Sequence, residues 1–372
     1  MAKKANGEGT IVRRQDGRWM AGIVADGTRT FLYGRTQAEV RLKLSAAVKA
    51  RDDGLSLSAG RQKLKAFIAA WLVGAEGSVR PSTLDKYRRD LEHHVLPRLG
   101  HIQLASLGPQ HLQHCYSQLI SSGLSPASVR HVHAALHRAL HQAVRWGIIS
   151  RNVADLVVLP QARRTNWHVL TASEVRRLLA EAAGDRLEAV YALACTAGMR
   201  RGEVLALRWR DVDLDRSVLS VTGSLQRGVE GLTISEPKTV RSRRLVALSG
   251  IAVEALRRRH SRQVGERLLA GSIWRESDLV FTSAVGGPVE PGNMLRRSFW
   301  PLLAQAGLPH VRFHDLRHTA ATQMLSRGVH PKVASELLGH ATVGITLDLY
   351  SHVSESMQRE AAQAMDEVLR KE

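Results

Sequence analysis

Cysteine is almost absent from the chain, which has only two among its 372 residues. Cys115 and Cys195 lie eighty positions apart, so a framework of disulfide bonds is excluded as the basis of the fold. A cysteine without a disulfide partner often behaves as a small hydrophobic side chain. We therefore expect both cysteines to be buried.

Long apolar runs are also missing. No stretch approaches the length of a membrane-spanning helix. The first eight residues, Met-Ala-Lys-Lys-Ala-Asn-Gly-Glu, lack the apolar core of a signal peptide. We expect a soluble, cytoplasmic protein with no membrane partner.

Acidic residues are scarce beside basic ones. The chain has 34 Asp and Glu against 53 Lys and Arg, which gives a formal net charge of +19 and a pI near 10.9. Such a charge attracts a polyanion, and nucleic acid is the most common one, although a ribosome-like basic protein would have the same composition. Residues 1–57 carry a net +5 and residues 58–160 a net +7. The positive charge is therefore densest in these two segments, which we expect to be two domains of a three-domain chain.

Residues 1–57 have the pattern of a small sheet followed by a helix. Turn residues at Asp16-Gly17 and Asp26-Gly27 separate three short strands, predicted over residues 9–13, 18–24 and 29–33. Thr36 and Glu39 form a capping box that opens a helix to about Lys49. Five arginines crowd this segment: Arg13, Arg14, Arg18, Arg29 and Arg35. Such a ribbon fits a DNA groove, although a solvated sheet face is the plain alternative.

Residues 60–159 are expected to be entirely helical. The four predicted helices cover Leu64 to Leu72, Ser82 to about Pro97, residues 109–121, and Ser125 to about Trp146. On the fourth helix an apolar face (Val129, Val132, Leu136, Leu140, Ala143) lies opposite a basic one (Arg130, His137, Arg138, His141, Arg145). This basic face suits a DNA backbone, and it is equally typical of an ordinary surface helix.

A polar linker over residues 159–166 leads to a third domain, predicted over 165–372 and mainly helical. Thr171 and Glu174 form a capping box at its first helix. Strand-like runs at residues 218–221 and 243–248 flank Lys238, which places this lysine on or near a β-hairpin. The expected fold class is therefore multidomain α+β, with a three-stranded sheet and helix, an all-α domain, and a mainly α domain that contains a small sheet.

Basic side chains in this last domain recur at spacings that suit a phosphate. Arg200 and Glu203 are three residues apart, hence on one face if the segment is helical, and a buried Glu203 could orient the guanidinium. His314 and Arg317 have the same spacing, and His340 follows. Two guanidinium groups could bind the nonbridging oxygens of a phosphate and stabilise a pentacoordinate transition state.

A zinc hydrolase is the competing interpretation of His314-Asp-Leu-Arg-His318, because two histidines four residues apart can hold a metal. The fixed positive charge of Arg317 beside them opposes metal binding, and the acid between them is Asp315 instead of glutamate. We expect no metal and no cofactor.

Tyrosine is rare, with five in the chain, and Tyr350 is the only one after Tyr191. A phenol has a pKa near ~10, so neighbouring cations or a base must promote its ionisation before it can act as a nucleophile. An alkoxide leaving group would also need a proton, which Lys238 could supply. An ordinary packed aromatic is the alternative for Tyr350 taken singly.

Taken in order, these motifs resemble those of the tyrosine recombinases, the family of phage and mobile-element integrases. The matching stretches are Thr-Ala-Gly-Met-Arg200-Arg-Gly-Glu, Pro-Lys238-Thr with Ser-Arg-Arg downstream, His314-Asp-Leu-Arg317-His, Leu-Gly-His340 and Leu-Asp-Leu-Tyr350-Ser-His. Residues 1–57 resemble an arm-type DNA-binding domain and residues 60–159 a helical core-binding domain.

The resemblance implies that Tyr350 attacks a DNA phosphate to form a 3′-phosphotyrosyl link, that Lys238 protonates the leaving 5′-oxygen, and that Arg200 and Arg317 hold the phosphate. His314 and His340 would assist proton transfer and charge stabilisation, without ATP or a metal. It also implies a homotetramer on double-stranded attachment sites in the bacterial nucleoid, with an excisionase and a host DNA-bending protein as further partners. The tail from Val353 to Leu369 would form an amphipathic helix that packs in cis or in trans.

Two other functions remain compatible with the sequence. A type IB topoisomerase uses the same chemistry but relaxes DNA as a monomer, and the arm-like first segment argues against it. A DNA-binding regulator with an inactive catalytic domain would bind DNA without forming a covalent product.

Overall fold

A computed structural model gives the structure of most of the chain. It describes residues 10–25, 27–52, 54, 59–161, 168–228, 231–235, 243–340 and 342–350, together with Asp366 and Leu369. Compactness divides the chain into an N-terminal part, Met1–Arg164, and a C-terminal part, Thr165–Glu372. This division falls within the predicted linker over residues 159–166. The further boundary near residue 58 stays a prediction.

The N-terminal part begins with an antiparallel sheet of three strands, β1 (Thr10–Arg13), β2 (Trp19–Ala25) and β3 (Thr28–Gly34), followed by α1 (Gln37–Asp52). Alternate residues of β2 point to opposite faces, so Ala21 and Ile23 are buried against Val40 and Leu44 of α1. The predicted strands and helix are confirmed, with α1 three residues longer than expected.

Five helices follow: α2 (Leu64–Gly74), α3 (Pro81–Asp90), α4 (Leu96–Leu99), α5 (Pro109–Ser121) and α6 (Pro126–Arg145). The expectation that Ser82 caps the second helix is wrong, because Arg80 is the N-cap and Pro81 occupies the first helical position. Proline suits that position, since its φ is already helical and it has no N–H to lose. A π-helical turn joins α3 to α4, so the helical path continues past Pro97 to Leu99.

The helix α6 has the two faces that the sequence predicted. Its apolar residues are fully buried and contact those of α2 and α5, and Cys115 is buried with them. Ser125 caps the helix, since its hydroxyl accepts a hydrogen bond from the Ser128 N–H at 3.1 Å. Cys195, in the C-terminal part, is buried as well, which confirms the expectation for both thiols.

The C-terminal part is mainly helical. Its helices are α7 (Ala172–Glu181), α8 (Glu188–Thr196), α9 (Arg201–Leu205), α10 (Gly250–Ala270), α11 (Pro291–Met294), α12 (Trp300–Gln305), α13 (Phe313–Ser326), α14 (Pro331–Leu338) and α15 (Val343–Tyr350). The buried α8 and the helices around it form one hydrophobic core. Nothing among the described helices is long and apolar enough to cross a membrane.

Two small antiparallel sheets lie between α9 and α10. One contains β4 (Val212–Asp213), β5 (Val218–Val221) and β8 (Arg244–Ala247), and the other is a hairpin of β6 (Ser224–Gly228) and β7 (Gly231–Ser235). The sequence predicted β5 and β8 as the strands that flank Lys238, and they pair with each other. It missed the intervening hairpin of β6 and β7. Lys238 follows β7 and lies outside the described residues.

Candidate active site

Two helices of the C-terminal part begin in the same way, with an arginine at the N-cap and an acid three residues later. At α9 the Glu203 carboxylate accepts the Arg200 backbone N–H at 3.1 Å. At α13 the Asp315 carboxylate accepts the Arg312 N–H at 2.9 Å. Each acid satisfies a donor at the helix start and adds negative charge where the helix dipole favours it. The sequence predicted that Arg200 and Glu203 share one helical face if the segment is helical. In the structure Glu203 is helical, whereas Arg200 is the N-cap just before the helix.

The Arg200 side chain is oriented by two contacts. Its Nη1 donates to Glu203 Oε1 at 2.7 Å, and its Nη2 donates to the carbonyl oxygen of Gly339 at 2.7 Å. The side chain is 37% exposed, whereas that of Glu203 is 5% exposed. Arg200 is thus held from the protein side and still accessible to a ligand.

Arg317 is a buried cation with an unused donor. Its Nη1 donates to the carbonyl oxygen of Gly198 at 2.8 Å, and Nη2 has no hydrogen-bond partner among the described residues. Burial, and then the nearby positive charge of Arg200, lower the pKa of this guanidinium to about 9. An anion beside it would relieve both effects, because it would supply the missing acceptor and an opposite charge.

Two histidines adjoin these arginines. Burial lowers the pKa of His314 to about 4, with further contributions from His318 and Arg317. Burial, followed by the charges of Arg317 and Arg200, lowers the pKa of His340 to about 4 as well. The His340 Nδ1 atom lies 2.7 Å from the Thr346 hydroxyl of α15. Both imidazoles are therefore neutral at pH 7, so each has an unprotonated ring nitrogen that can accept a proton.

Asp315, the acid of the candidate zinc motif, is paired with an arginine. The rings of His314 and His318 are perpendicular, with centroids 5.0 Å apart. The Asp315 carboxylate faces Arg312, whose Nη2 donates to it at 2.7 Å. No group of three potential metal ligands occurs among the residues that the structure describes.

The two remaining predicted residues are less completely described. Tyr350 is the last residue of α15, the helix that His340 contacts through Thr346, and its side chain lies outside the described part. Lys238 lies outside it altogether. The structure thus brings together Arg200, Arg317 and the two histidines, and the roles of Tyr350 and Lys238 stay predictions.

Sequence reasoning assigned no role to Arg244, which is part of this cluster. Its Nη2 donates to Glu203 Oε2 at 2.9 Å and its Nε donates to the carbonyl oxygen of Leu337 at 2.7 Å. The signal was present in the alternation of β8, where Leu245 is 65% exposed and Val246 is buried. Arg244 is two residues from Val246 and therefore lies on the same, buried face of the strand. A charged residue on a buried face needs a partner.

The predicted DNA-contacting residues belong to the N-terminal part. All five arginines of the sheet segment are exposed, and so are those of α6 and His141. The guanidinium of Arg14 lies 5.6 Å from the Tyr33 ring centroid, and that of Arg29 lies 5.6 Å from the Phe31 centroid. Among the predicted DNA-contacting residues, His137 differs because it is half-buried, and its Nε2 lies 2.6 Å from the Asp155 carboxylate.

Comparison with known proteins adds to this geometry. The model of the phage integrase family matches residues 168–357, and that of the phage integrase N-terminal SAM-like domain matches residues 63–120. A tyrosine recombinase XerC-like protein of Caldanaerobacter subterraneus subsp. tengcongensis is 28% identical over 364 residues, which cover 91% of this chain and 92% of the relative. An integrase of Streptomyces ambofaciens is 29% identical, covering 100% and 99%.

Solved structures share the fold. The Tn1549 transposon integrase, in complex with transposon right end DNA, has a TM-score of 0.71 at 20% identity and covers 82% of this chain and all of its own. The lambda integrase dimer bound to a COC′ core site has a TM-score of 0.58 at 18% identity, covering 94% of this chain and 96% of its own. The match of the family model, which spans the whole cluster around Arg200 and reaches beyond Tyr350, is the decisive finding. The chain belongs to the phage integrase family of tyrosine recombinases.

Proposed function

We propose that this protein is a site-specific DNA recombinase that integrates and excises a mobile element by cleaving and rejoining DNA through a 3′-phosphotyrosyl intermediate. The observation that carries the proposal is the convergence of Arg200 and Arg317 from distant segments, with His314 and His340 beside them. The two guanidinium groups are anchored to the carbonyl oxygens of Gly339 and Gly198. Such a preorganised pair of cations stabilises charge that develops on a phosphate.

In the cleavage step, the Tyr350 phenol oxygen attacks the scissile phosphorus, and the bond from phosphorus to the 5′-oxygen breaks. The phenolic proton passes to a neutral imidazole, and both His314 and His340 are neutral at pH 7 because their pKa is about 4. Arg317 directs its unused Nη2 donor toward a nonbridging oxygen, while Arg200 offers its exposed side. Lys238 donates a proton to the departing 5′-oxygen.

Rejoining is the reverse reaction. A 5′-hydroxyl from the partner strand attacks the phosphorus and gives its proton back to Lys238. The bond from phosphorus to the Tyr350 oxygen breaks, and Tyr350 leaves as a phenol that takes its proton from the histidine. Since one phosphodiester is exchanged for another of similar energy, no nucleotide cofactor is needed. This reversibility is what allows the same residues to serve both integration and excision.

Each of the two parts also has basic side chains that suit DNA. The N-terminal part presents exposed arginines on its sheet and on α6. In the C-terminal part, a cavity of about 680 Å³ is lined by Arg208, Arg210 and Arg243, with Arg244 at its wall. Clustered guanidinium groups suit backbone phosphates. We propose that double-stranded DNA lies along these surfaces.

Strand exchange between two sites requires four cleavages, so we propose that four copies assemble on a Holliday junction. The lambda integrase forms such a tetramer on a Holliday junction in a structure that shares this fold, with a TM-score of 0.58. An excisionase and a host DNA-bending protein belong to this proposal as accessory partners, and the bacterial nucleoid is the proposed location.

The proposal is tested with a supercoiled plasmid that carries the junction between the encoding element and its host chromosome. We expect the wild-type protein to form a protein–DNA adduct that survives denaturation, and Tyr350→Phe to bind the same DNA without forming it. If Tyr350→Phe formed the adduct as readily as wild type, the nucleophile would be another residue. DNA binding with no adduct from the wild type would favour a regulator, and relaxation without strand exchange would favour a topoisomerase.

A further inference from the structure

Arg244 is positioned at the junction of three segments of the C-terminal part. It starts β8, and its side chain is 7% exposed. One guanidinium edge donates to both carboxylate oxygens of Glu203, at 3.3 and 2.9 Å. The Nε donates to the carbonyl oxygen of Leu337 at the end of α14, at 2.7 Å. Arg244 therefore connects the start of α9 with the end of α14.

Glu203 is shared between two guanidinium groups. Its Oε1 accepts from Arg200 at 2.7 Å, and both of its oxygens accept from Arg244. Burial by itself would raise the pKa of Glu203, but the bond to Arg244 and the charges of both arginines hold it below the ordinary value. One carboxylate cannot neutralise two guanidinium groups. Arg244 therefore leaves part of the positive charge of Arg200 available for an external anion.

The second connection of Arg244 concerns the segment that carries His340. Gly339 adopts a left-handed conformation with a φ of 69°, and an added Cβ would lie 2.9 Å from Arg244 Nη1. The carbonyl oxygen of the same glycine accepts from Arg200 Nη2. The guanidinium of Arg244 thus packs directly against the residue that orients Arg200 and precedes His340.

We propose that Arg244 is a positioning residue for the recombination reaction: it holds Glu203 and the end of α14 in place, and so sets the orientation and charge of Arg200 at the scissile phosphate. This role rests on the proposed function. The Arg244 side chain is 7% exposed and its guanidinium is bonded to protein oxygens. It acts on the reaction through Glu203 and through Gly339.

The chain offers a matched control for the loss of a buried arginine. Arg259 is equally buried, donates to both oxygens of Glu266 at 2.8 and 2.9 Å, and donates its Nε to the carbonyl oxygen of Val280 at 2.9 Å. This arrangement repeats that of Arg244 with other partners. Arg259→Met therefore reproduces the structural damage of Arg244→Met in another part of the same core.

The experiment measures the rate of adduct formation on the junction plasmid, per molecule of folded protein, for Arg244→Met, Arg244→Lys and Arg259→Met. Because a small displacement of a catalytic group is costly, we expect Arg244→Met to slow the reaction on the order of 10²-fold. Arg244→Lys keeps the charge and should recover part of the rate, and it also serves if the methionine variant does not fold. Arg259→Met should react within about threefold of wild type.

The pH profile separates positioning from general destabilisation. Without Arg244 the pKa of Glu203 should rise, since only Arg200 would remain to offset burial. The acid limb of the rate profile should then move to higher pH in Arg244→Met and stay in place in Arg259→Met. A double-mutant cycle with Glu203→Gln should show a combined loss at least tenfold smaller than the product of the two single losses, because both changes act on Arg200.

The outcomes distinguish a failure of the proposed function from a failure of the positioning role. If the wild type forms no adduct, the proposed function is wrong. If the wild type reacts and Arg244→Met reacts equally fast, or its losses multiply with those of Glu203→Gln, the positioning role is wrong. Equal rate losses in the Arg244 and Arg259 variants would also overturn it, since they would indicate a common structural cause.

Discussion

Replacing Gly339 by alanine should damage the site more than the same change elsewhere, and the structure supplies the comparison. Gly339 has a φ of 69° and Gly328 a φ of 76°, so both lie in the left-handed region. A Cβ at Gly328 would meet nothing within 4 Å, whereas one at Gly339 would lie 2.9 Å from Arg244 Nη1. The two substitutions share the backbone strain and differ in the contact.

The expected magnitudes follow from these two contributions. A left-handed conformation costs an alanine about 1–2 kcal/mol, which applies to both variants. In Gly339→Ala the guanidinium of Arg244 must also move, and its bonds to Glu203 and Leu337 leave it little room. Losing one such bond leaves a buried charged donor unsatisfied, which should lower the free energy of unfolding by about a further 1.5–3 kcal/mol.

Scanning calorimetry measures the difference through the melting temperature of the C-terminal part. For a body of this size 1 kcal/mol corresponds to roughly 2–4 °C. Gly339→Ala should therefore melt about 3–12 °C below Gly328→Ala. Since Gly339 also orients Arg200, adduct formation should fall on the order of 10²-fold in Gly339→Ala and stay near wild type in Gly328→Ala. Equal melting temperatures and equal rates would refute the reasoning.

Three further predictions concern the histidines, the lysine and a buried threonine of the C-terminal part. In the folded protein the pKa of His314 and His340 is about 4, below the ordinary 6.5, so the unfolded state binds more protons between these pH values. The melting temperature should therefore fall as the pH drops from 6.5 toward 4, and it should fall less steeply in His314→Asn. An unchanged slope in that variant would contradict the lowered pKa of His314. Lys238→Ala should lose adduct formation on ordinary DNA. It should regain adduct formation on a duplex with sulfur in place of the 5′-bridging oxygen, because a thiolate leaves without a proton. Failure of this rescue would exclude the general-acid role of Lys238. Thr319→Val should lower the free energy of unfolding by about 1–3 kcal/mol, measured by chemical denaturation. The reason is that the buried Thr319 hydroxyl accepts a hydrogen bond from the Leu170 N–H at 3.1 Å. An unchanged free energy of unfolding would contradict this bond.

Much of the secondary structure was predictable because its signals are local. The apolar stripe of α6 and the Ser125 cap lie within a few turns of one helix, and both are confirmed. Errors arose where two local signals competed. Ser82 is a good cap residue, but Pro81 before it already satisfies the first helical position, so the N-cap lies two residues earlier, at Arg80. The hairpin of β6 and β7 was missed because its strands are short and mostly half-exposed.

By itself, the sequence determined which chemical groups are available and in what order: two arginines, two histidines, a lysine and a late tyrosine, with the spacing of a known family. Only the tertiary structure decided how these groups are held. The bond from Arg200 to the Gly339 carbonyl spans 139 positions, that from Arg317 to Gly198 spans 119, and that from Arg244 to Glu203 spans 41. Periodicity constrains residues within a turn or a strand, whereas contacts across such distances depend on the path of the whole chain. For that reason the proposed role of Arg244 depends on the contact between β8 and the end of α14, which no local sequence pattern encodes.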